Sequence, residues 1–93
     1  MKATINGFTL ADSADTVECH GYQYFPRDAV RMACLQQAPK TESDHACPHG
    51  VRFYDVVIGG TRYARTAWSY EAPRPAMIAV DHRLGFWNEV TVG

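Results

Sequence analysis

Val51-Arg52-Phe53-Tyr54-Asp55-Val56-Val57-Ile58-Gly59-Gly60-Thr61-Arg62-Tyr63-Ala64-Arg65-Thr66-Ala67-Trp68-Ser69-Tyr70 is the stretch on which the fold turns. Two runs rich in β-branched and aromatic residues flank a Gly-Gly pair. Two glycines supply the positive φ angles that a two-residue hairpin turn requires. The stretch is predicted to be a long antiparallel hairpin, with strands Val51 to Ile58 and Thr61 to Tyr70. Period two puts Trp68 and Tyr70 on one face of the return strand, Arg62 on the Trp68 face, and Arg52 beside Tyr54.

Working upstream, residues 39–50 are polar, with two prolines and two of the four histidines, and read as an irregular loop. Before it, Pro26 opens a segment with Asp28 in its first turn. Ala29, Val30, Ala33 and Cys34 share one apolar face, which predicts a short helix near residues 26–33. The N-terminal quarter reads as a meander. Asn6-Gly7 is a hairpin turn between Ala3–Ile5 and Phe8–Leu10. Thr16 to His20 and Gln23 to Phe25 are two further short strands broken at Gly21. Downstream, Ala72 to Pro75 is a stiff exit, and Met77 to Val80 reads equally as a helical turn or a strand. Leu84–Trp87 and Val90–Val92 close the chain as strands. The expectation is mainly β: seven or eight short antiparallel strands that must curl or form two sheets, with one short helix and no βαβ alternation.

The rest of the composition bounds function. The chain has 93 residues, 46% hydrophobic and 20% charged, with a net charge of −1. That is one domain, residues 1–93, with no global charge to draw it onto nucleic acid or an anionic membrane, and no apolar run long enough to span one. Cys19, Cys34 and Cys47 are odd in number and widely spaced, and the N-terminus is too polar for a signal peptide. A cytoplasmic, reducing setting with free thiols is expected.

The ordered set Tyr24-Phe25-Pro26, Cys47-Pro48, Tyr54, Ala67-Trp68-Ser69-Tyr70, Pro73, Pro75 and Phe86-Trp87 resembles a small bacterial family of unknown function, loosely labelled nucleotidyltransferase-like. The resemblance covers essentially the whole chain. It implies a fold similar to the β-tent shared by methionine sulfoxide reductase B, translationally controlled tumour protein and the ligand-binding domain of cereblon. In that fold two antiparallel sheets leave a groove between them. The chain departs from the family at Ala46-Cys47-Pro48-His49-Gly50, where a Lys is missing and His49 stands in an aromatic position. It departs again at His82-Arg83, where members have Gly-Tyr.

Three functional readings follow, from different classes. The leading one is a binding module that takes a small anionic or aromatic molecule, or a peptide, in the groove. Its candidate residues are Tyr24, Arg52, Tyr54, Arg62, Trp68, Tyr70 and Trp87, because aromatic walls and an adjacent guanidinium suit a ring and an anion. The second is a small enzyme with Cys47 as nucleophile and His45 or His49 as base, since an imidazolium neighbour lowers a thiol pKa. The third is metal binding by His45-x-Cys47-x-His49, completed by Cys19, His20, Cys34 or His82. Each has an ordinary alternative: the aromatics as core, Cys47 as an inert corner, the arginines as surface. No cofactor or metal is assigned, and a monomer and a homodimer are both open. Nucleotidyl transfer is disfavoured, because the only Asp/Glu-x-Asp is Glu42-Ser43-Asp44 in the loop and no glycine-rich phosphate cradle is present.

Overall fold

The computed structural model describes residues 1–93, and most of its regular structure is short antiparallel strands. Three turns are two-residue turns with both φ angles positive: Asn6-Gly7 (48° and 80°), His20-Gly21 (51° and 86°) and Gly59-Gly60 (56° and 81°). Their twist matches that of the strands they join. The first joins β1 (Lys2–Ile5) to β2 (Phe8–Asp12), and the second joins β3 (Val17–Cys19) to β4 (Tyr22–Tyr24). After β5 (Leu35–Gln37), the third joins β6 (Val51–Ile58) to β7 (Thr61–Tyr70), with the bounds expected from the sequence.

Strands β5, β6, β7 and β8 (Leu84–Phe86) form a four-stranded antiparallel sheet in that order. Strand β1 lies between β2 and β9 (Thr91–Val92) in a second sheet, and β3 and β4 pair alone. There are thus three antiparallel sheets where two were expected. A bridge between Phe25 and Leu84, with backbone hydrogen bonds of 2.9 Å in both directions, makes the β3–β4 hairpin a continuation of β8. The two closing strands do not pair with each other: β8 joins β7, and β9 joins β1.

The short α-helix expected near residues 26–33 is replaced by two 3-10 turns, Arg27–Ala29 and Met32–Cys34. Between them the chain is pulled straight. Val30 is extended (ψ 138°) and bridges Ala11, while the Arg31 amide donates to the Leu10 carbonyl at 2.8 Å. Pairing with β2 takes the backbone groups that a second helical turn would need. The α-helix of the chain, α1 (Glu42–Ala46), instead lies in the stretch read as irregular. A reciprocal cap starts it. The Thr41 hydroxyl accepts from the Asp44 amide at 3.3 Å, and the Asp44 carboxylate accepts from the Thr41 amide at 3.1 Å. A third 3-10 segment covers Pro75–Val80, and no helix is long and apolar enough to cross a membrane.

Alternation along the four-stranded sheet sends residues to two different environments. One face carries Tyr54, Val56, Ala67, Leu84 and Phe86 against Ala3, Ile5, Leu10 and Ala11 of the β1–β2 layer, and forms the main core. The opposite face carries Val51 and Trp68, which pack with Tyr24, Met77 and Val80 in a smaller second cluster. Gly85 makes that second face possible. It lies opposite Trp68, and a Cβ there would stand 2.7 Å from the indole ring.

Candidate functional site

The second face is left partly open. The β3–β4 hairpin and the Pro75–Val80 segment cover it incompletely, and a cleft of about 230 Å³ remains. Its walls are Tyr22 and Tyr24 from β4, Phe53 from β6, Trp68 and Tyr70 from β7, and Trp87 just after β8, with Met77 and His20 closing the ends. These residues meet because β4, β6 and β7 each direct alternate side chains to this side. Tyr22, Trp68 and Trp87 stand nearly edge-on to one another, at interplanar angles of 87°, 76° and 62° and centroid distances of 5.0–6.3 Å. Phe53 stacks on Trp87 at 28°. Tyr22 and Trp87 are 39% and 36% exposed, so the rim of the cleft is aromatic and wet.

The polar groups of the floor are few and neutral or paired with one another. The Trp68 indole N–H donates to the Tyr24 hydroxyl at 3.3 Å. Burial pushes the pKa of Tyr24 above the ordinary phenol value, and burial raises that of Tyr70 too, so both remain neutral hydroxyls. At the Met77 end, the Cys19 thiol lies 3.6 Å from the Met77 sulfur.

Of the residues singled out from sequence, the cleft brings together Tyr24, Trp68, Tyr70 and Trp87. It does not include the three remaining ligand candidates. Tyr54 lies in the main core on the other face, its hydroxyl donating to Glu71 at 2.9 Å. Arg52 follows Tyr54 in alternation and buries an Nε without a hydrogen-bond partner. Arg62 is spent on Asp55 (2.6 Å) and the Gln36 side-chain carbonyl (2.7 Å). No arginine lines the cleft. Phe53 and Tyr22 are not among the sequence candidates, yet the strand pattern marks both. Period two puts Tyr22 with Tyr24, and Phe53 lies opposite Trp68 across the hairpin. Met77 and His20 enter through a 3-10 turn and a left-handed turn residue, which alternation does not reach.

The Cys47 region is organised differently from an extended ladder. His45 is an exposed residue of α1, Cys47 is half-buried against the second cluster, and His49 packs edge-on against Tyr70 at 5.8 Å. His49 Nδ1 accepts from the Arg74 amide at 3.0 Å, which leaves the proton of the neutral ring on Nε2. Neither imidazole is hydrogen-bonded to the thiol. No three His, Cys, Asp or Glu side chains converge as a metal site would require. Of the Glu42-Ser43-Asp44 pair, Asp44 is committed elsewhere. Its carboxylate takes both prongs of the Arg65 guanidinium, at 2.9 and 3.0 Å. That fork, with the Thr41 amide, holds the Asp44 pKa down from 3.8 to about 2.

No curated protein matches the chain. The family model described as a domain of unknown function, DUF427, matches residues 1–92, and the chain therefore belongs to the DUF427 family.

Proposed function

We propose that this domain is a small binding module whose site is the aromatic cleft, and that the ligand presents a single neutral ring, free or as the side chain of a peptide. The observation that carries the reading is the composition of the walls: six aromatic rings and a methionine around about 230 Å³. Apolar lining with a few hydroxyls is the usual chemistry of a small-molecule pocket. The volume is below the roughly 300–1,000 Å³ of pockets for drug-sized ligands, so the fitting group is a single ring system, simple or fused. The anionic alternative loses support, because the arginines that would hold a carboxylate or phosphate are ion-paired or on the far face.

The Cys47 enzyme is the weaker reading, since a base must reach the thiol and the hydrogen-bonded His49 does not present a free lone pair at Nε2. Metal binding at the His/Cys loop has the same weakness of geometry, with His45 turned into α1. Nucleotidyl transfer needs paired carboxylates free to hold cations, and Asp44 is neutralised by Arg65.

The test is a titration of isotope-labelled protein followed by NMR. Indole, phenol and benzamide are added in parallel with acetate and inorganic phosphate. Ring probes are expected to shift the indole N–H resonances of Trp68 and Trp87, with dissociation constants in the millimolar range, about −4 kcal/mol. The two anions are expected to leave those resonances in place. Ring probes that move neither indole at tens of millimolar would overturn the proposal.

A further inference from the structure

We infer that the Arg65 side chain is a positioning group for the cleft: it holds Phe53 against Trp87, adding to the grip of the Arg65 carbonyl on that ring, and thereby ties α1 to the ligand wall. The inference rests on the proposed use of the cleft. Arg65 itself does not line it.

The long hairpin is irregular at its middle. In the long hairpin, Tyr54 faces Ala67 and Val56 faces Tyr63, so Asp55 alone stands opposite Ala64, Arg65 and Thr66. Arg65 sits at the centre of that bulge with φ +55°, a left-handed conformation that disfavours a side chain. Such a backbone persists when its surroundings over-determine it, and here the amide, the carbonyl and both terminal guanidinium nitrogens are engaged. Its amide donates to Asp55 Oδ1 at 2.9 Å. Its carbonyl, turned outward by the bulge, accepts the Trp87 indole N–H at 2.7 Å. Its guanidinium forks onto Asp44 of α1 and lies 4.0 Å from the centre of the Phe53 ring. Phe53 in turn stacks on Trp87 with centroids 6.0 Å apart. One residue therefore grips Trp87 twice, directly through its carbonyl and indirectly through the stacked Phe53. Trp87 is an exposed ring on the cleft's rim with no sheet over it. Without this grip its rotamer freedom would return, and a ligand would have to order it on binding.

Arg65→Gly is the informative variant. Glycine accepts the left-handed backbone, so the carbonyl keeps its place while the guanidinium is lost. Arg65→Lys keeps the charge without the flat fork. Arg31→Ala is the control, because Arg31 stacks on Phe8 in the other layer at 5.5 Å. Two readouts are taken: nitrogen relaxation of the Trp87 indole, and affinity for indole by the titration above. For Arg65→Gly the expected results are a more mobile Trp87 ring and about tenfold weaker indole binding, a loss of about 1.4 kcal/mol. Arg65→Lys is expected to recover little of either, and Arg31→Ala to change neither. A Trp87 indole as rigid in Arg65→Gly as in the parent protein would overturn the inference, whatever the affinities. Wild-type protein that binds no ring probe would instead overturn the ligand reading. The relaxation experiment still decides whether Arg65 holds the ring.

Discussion

The two faces of the four-stranded sheet are built from the same strands and have opposite fates. On one face Tyr54, Val56, Ala67 and Leu84 meet a complete second layer, and Leu10, Phe25, Val56 and Leu84 lose all contact with solvent. On the other face Trp68, Tyr70 and Phe53 meet only a two-residue-turn hairpin and a 3-10 segment. The first face mixes aliphatic and aromatic side chains, is closed, and is close-packed. The second is aromatic and open, and is braced by an ion pair and ring edges as well as by packing. The difference teaches that burial supplies stability on one side and leaves shape available on the other. Substitutions should therefore separate the two.

The largest expected effect is on the closed face. Phe25 is fully buried, edge-on to Phe86 at 5.8 Å, and its backbone makes the bridge that carries the β3–β4 hairpin. Phe25→Ala is expected to cost about 3–5 kcal/mol. Against a total of roughly 5–15 kcal/mol for a domain, that leaves little reserve. Urea unfolding followed by tryptophan fluorescence measures it. A loss below about 1 kcal/mol would mean that the closed face is not the source of stability. Next comes Gly85→Ala, on the open face beneath Trp68. The added methyl meets the Trp68 ring at 2.7 Å and the Tyr24 ring at 3.1 Å. Overpacking of this kind costs about 1–3 kcal/mol. The displaced indole is also expected to intrude on the cleft, so ring binding falls together with the urea midpoint. A variant with full stability and full indole affinity would show that Trp68 has somewhere else to go.

How much of this contrast the sequence carries depends on which signal is local. Gly59-Gly60 and Asn6-Gly7 specify their turns through φ alone, and the hairpins they predict have the right strands. Alternation then puts Trp68 with Tyr70, which the cleft retains. The helix near residues 26–33 fails because its competitor is distant in sequence. Val30 and Arg31 are taken by β2, a pairing that no local pattern announces. Helix α1 fails for the opposite reason: its cap, Thr41 with Asp44, is local, but the helix is only 5 residues long and leaves no apolar periodicity to read. Arg52, Tyr54 and Arg62 fail as a ligand set because chemical suitability does not say which face a residue occupies or which acid it meets. Asp55 and Gln36 take Arg62. The twofold grip on Trp87 depends on a bulge, and nothing in the order of residues marks Arg65 as left-handed.

The bracing of the open face by charge gives a third test, smaller than the packing effects. The Asp44 pKa is lowered in the folded protein, from 3.8 to about 2, chiefly by hydrogen bonds from Arg65. A carboxylate with a lowered folded pKa stabilises the fold above its unfolded pKa. That contribution is therefore intact above about pH 5 and is lost as pH falls through 3.8 towards 2. With the Arg65 side chain 34% exposed, solvent screens the pair, and the contribution is about 1–2 kcal/mol. Urea midpoints for the parent and Asp44→Asn, measured from pH 6 to pH 2, are expected to converge at the acid end. Curves that stay parallel to pH 2 would assign the acid sensitivity to other carboxylates.

The smallest expected effect on stability is the one that bears most on function. Tyr22 has no side-chain hydrogen bond, is 39% exposed and contributes only ring edges, to Trp68 at 5.0 Å and to Trp87 at 6.3 Å. Aromatic pairs of this kind are worth about 0.5–1.5 kcal/mol each when well buried. On an open rim the lower end applies, so Tyr22→Ala is expected to cost about 1 kcal/mol or less. It removes one of the three mutually edge-on walls, however, and a fragment-sized ring held by three walls has few other contacts to fall back on. Indole affinity is therefore expected to drop severalfold at nearly unchanged stability, the reverse of Phe25→Ala. Calorimetric unfolding and the indole titration on the same samples measure both quantities. If Tyr22→Ala destabilised the domain as much as Gly85→Ala does, the open face would be a second core. If affinity were untouched, the ring would be held deeper, between Trp68 and Tyr70, with the rim outside the site.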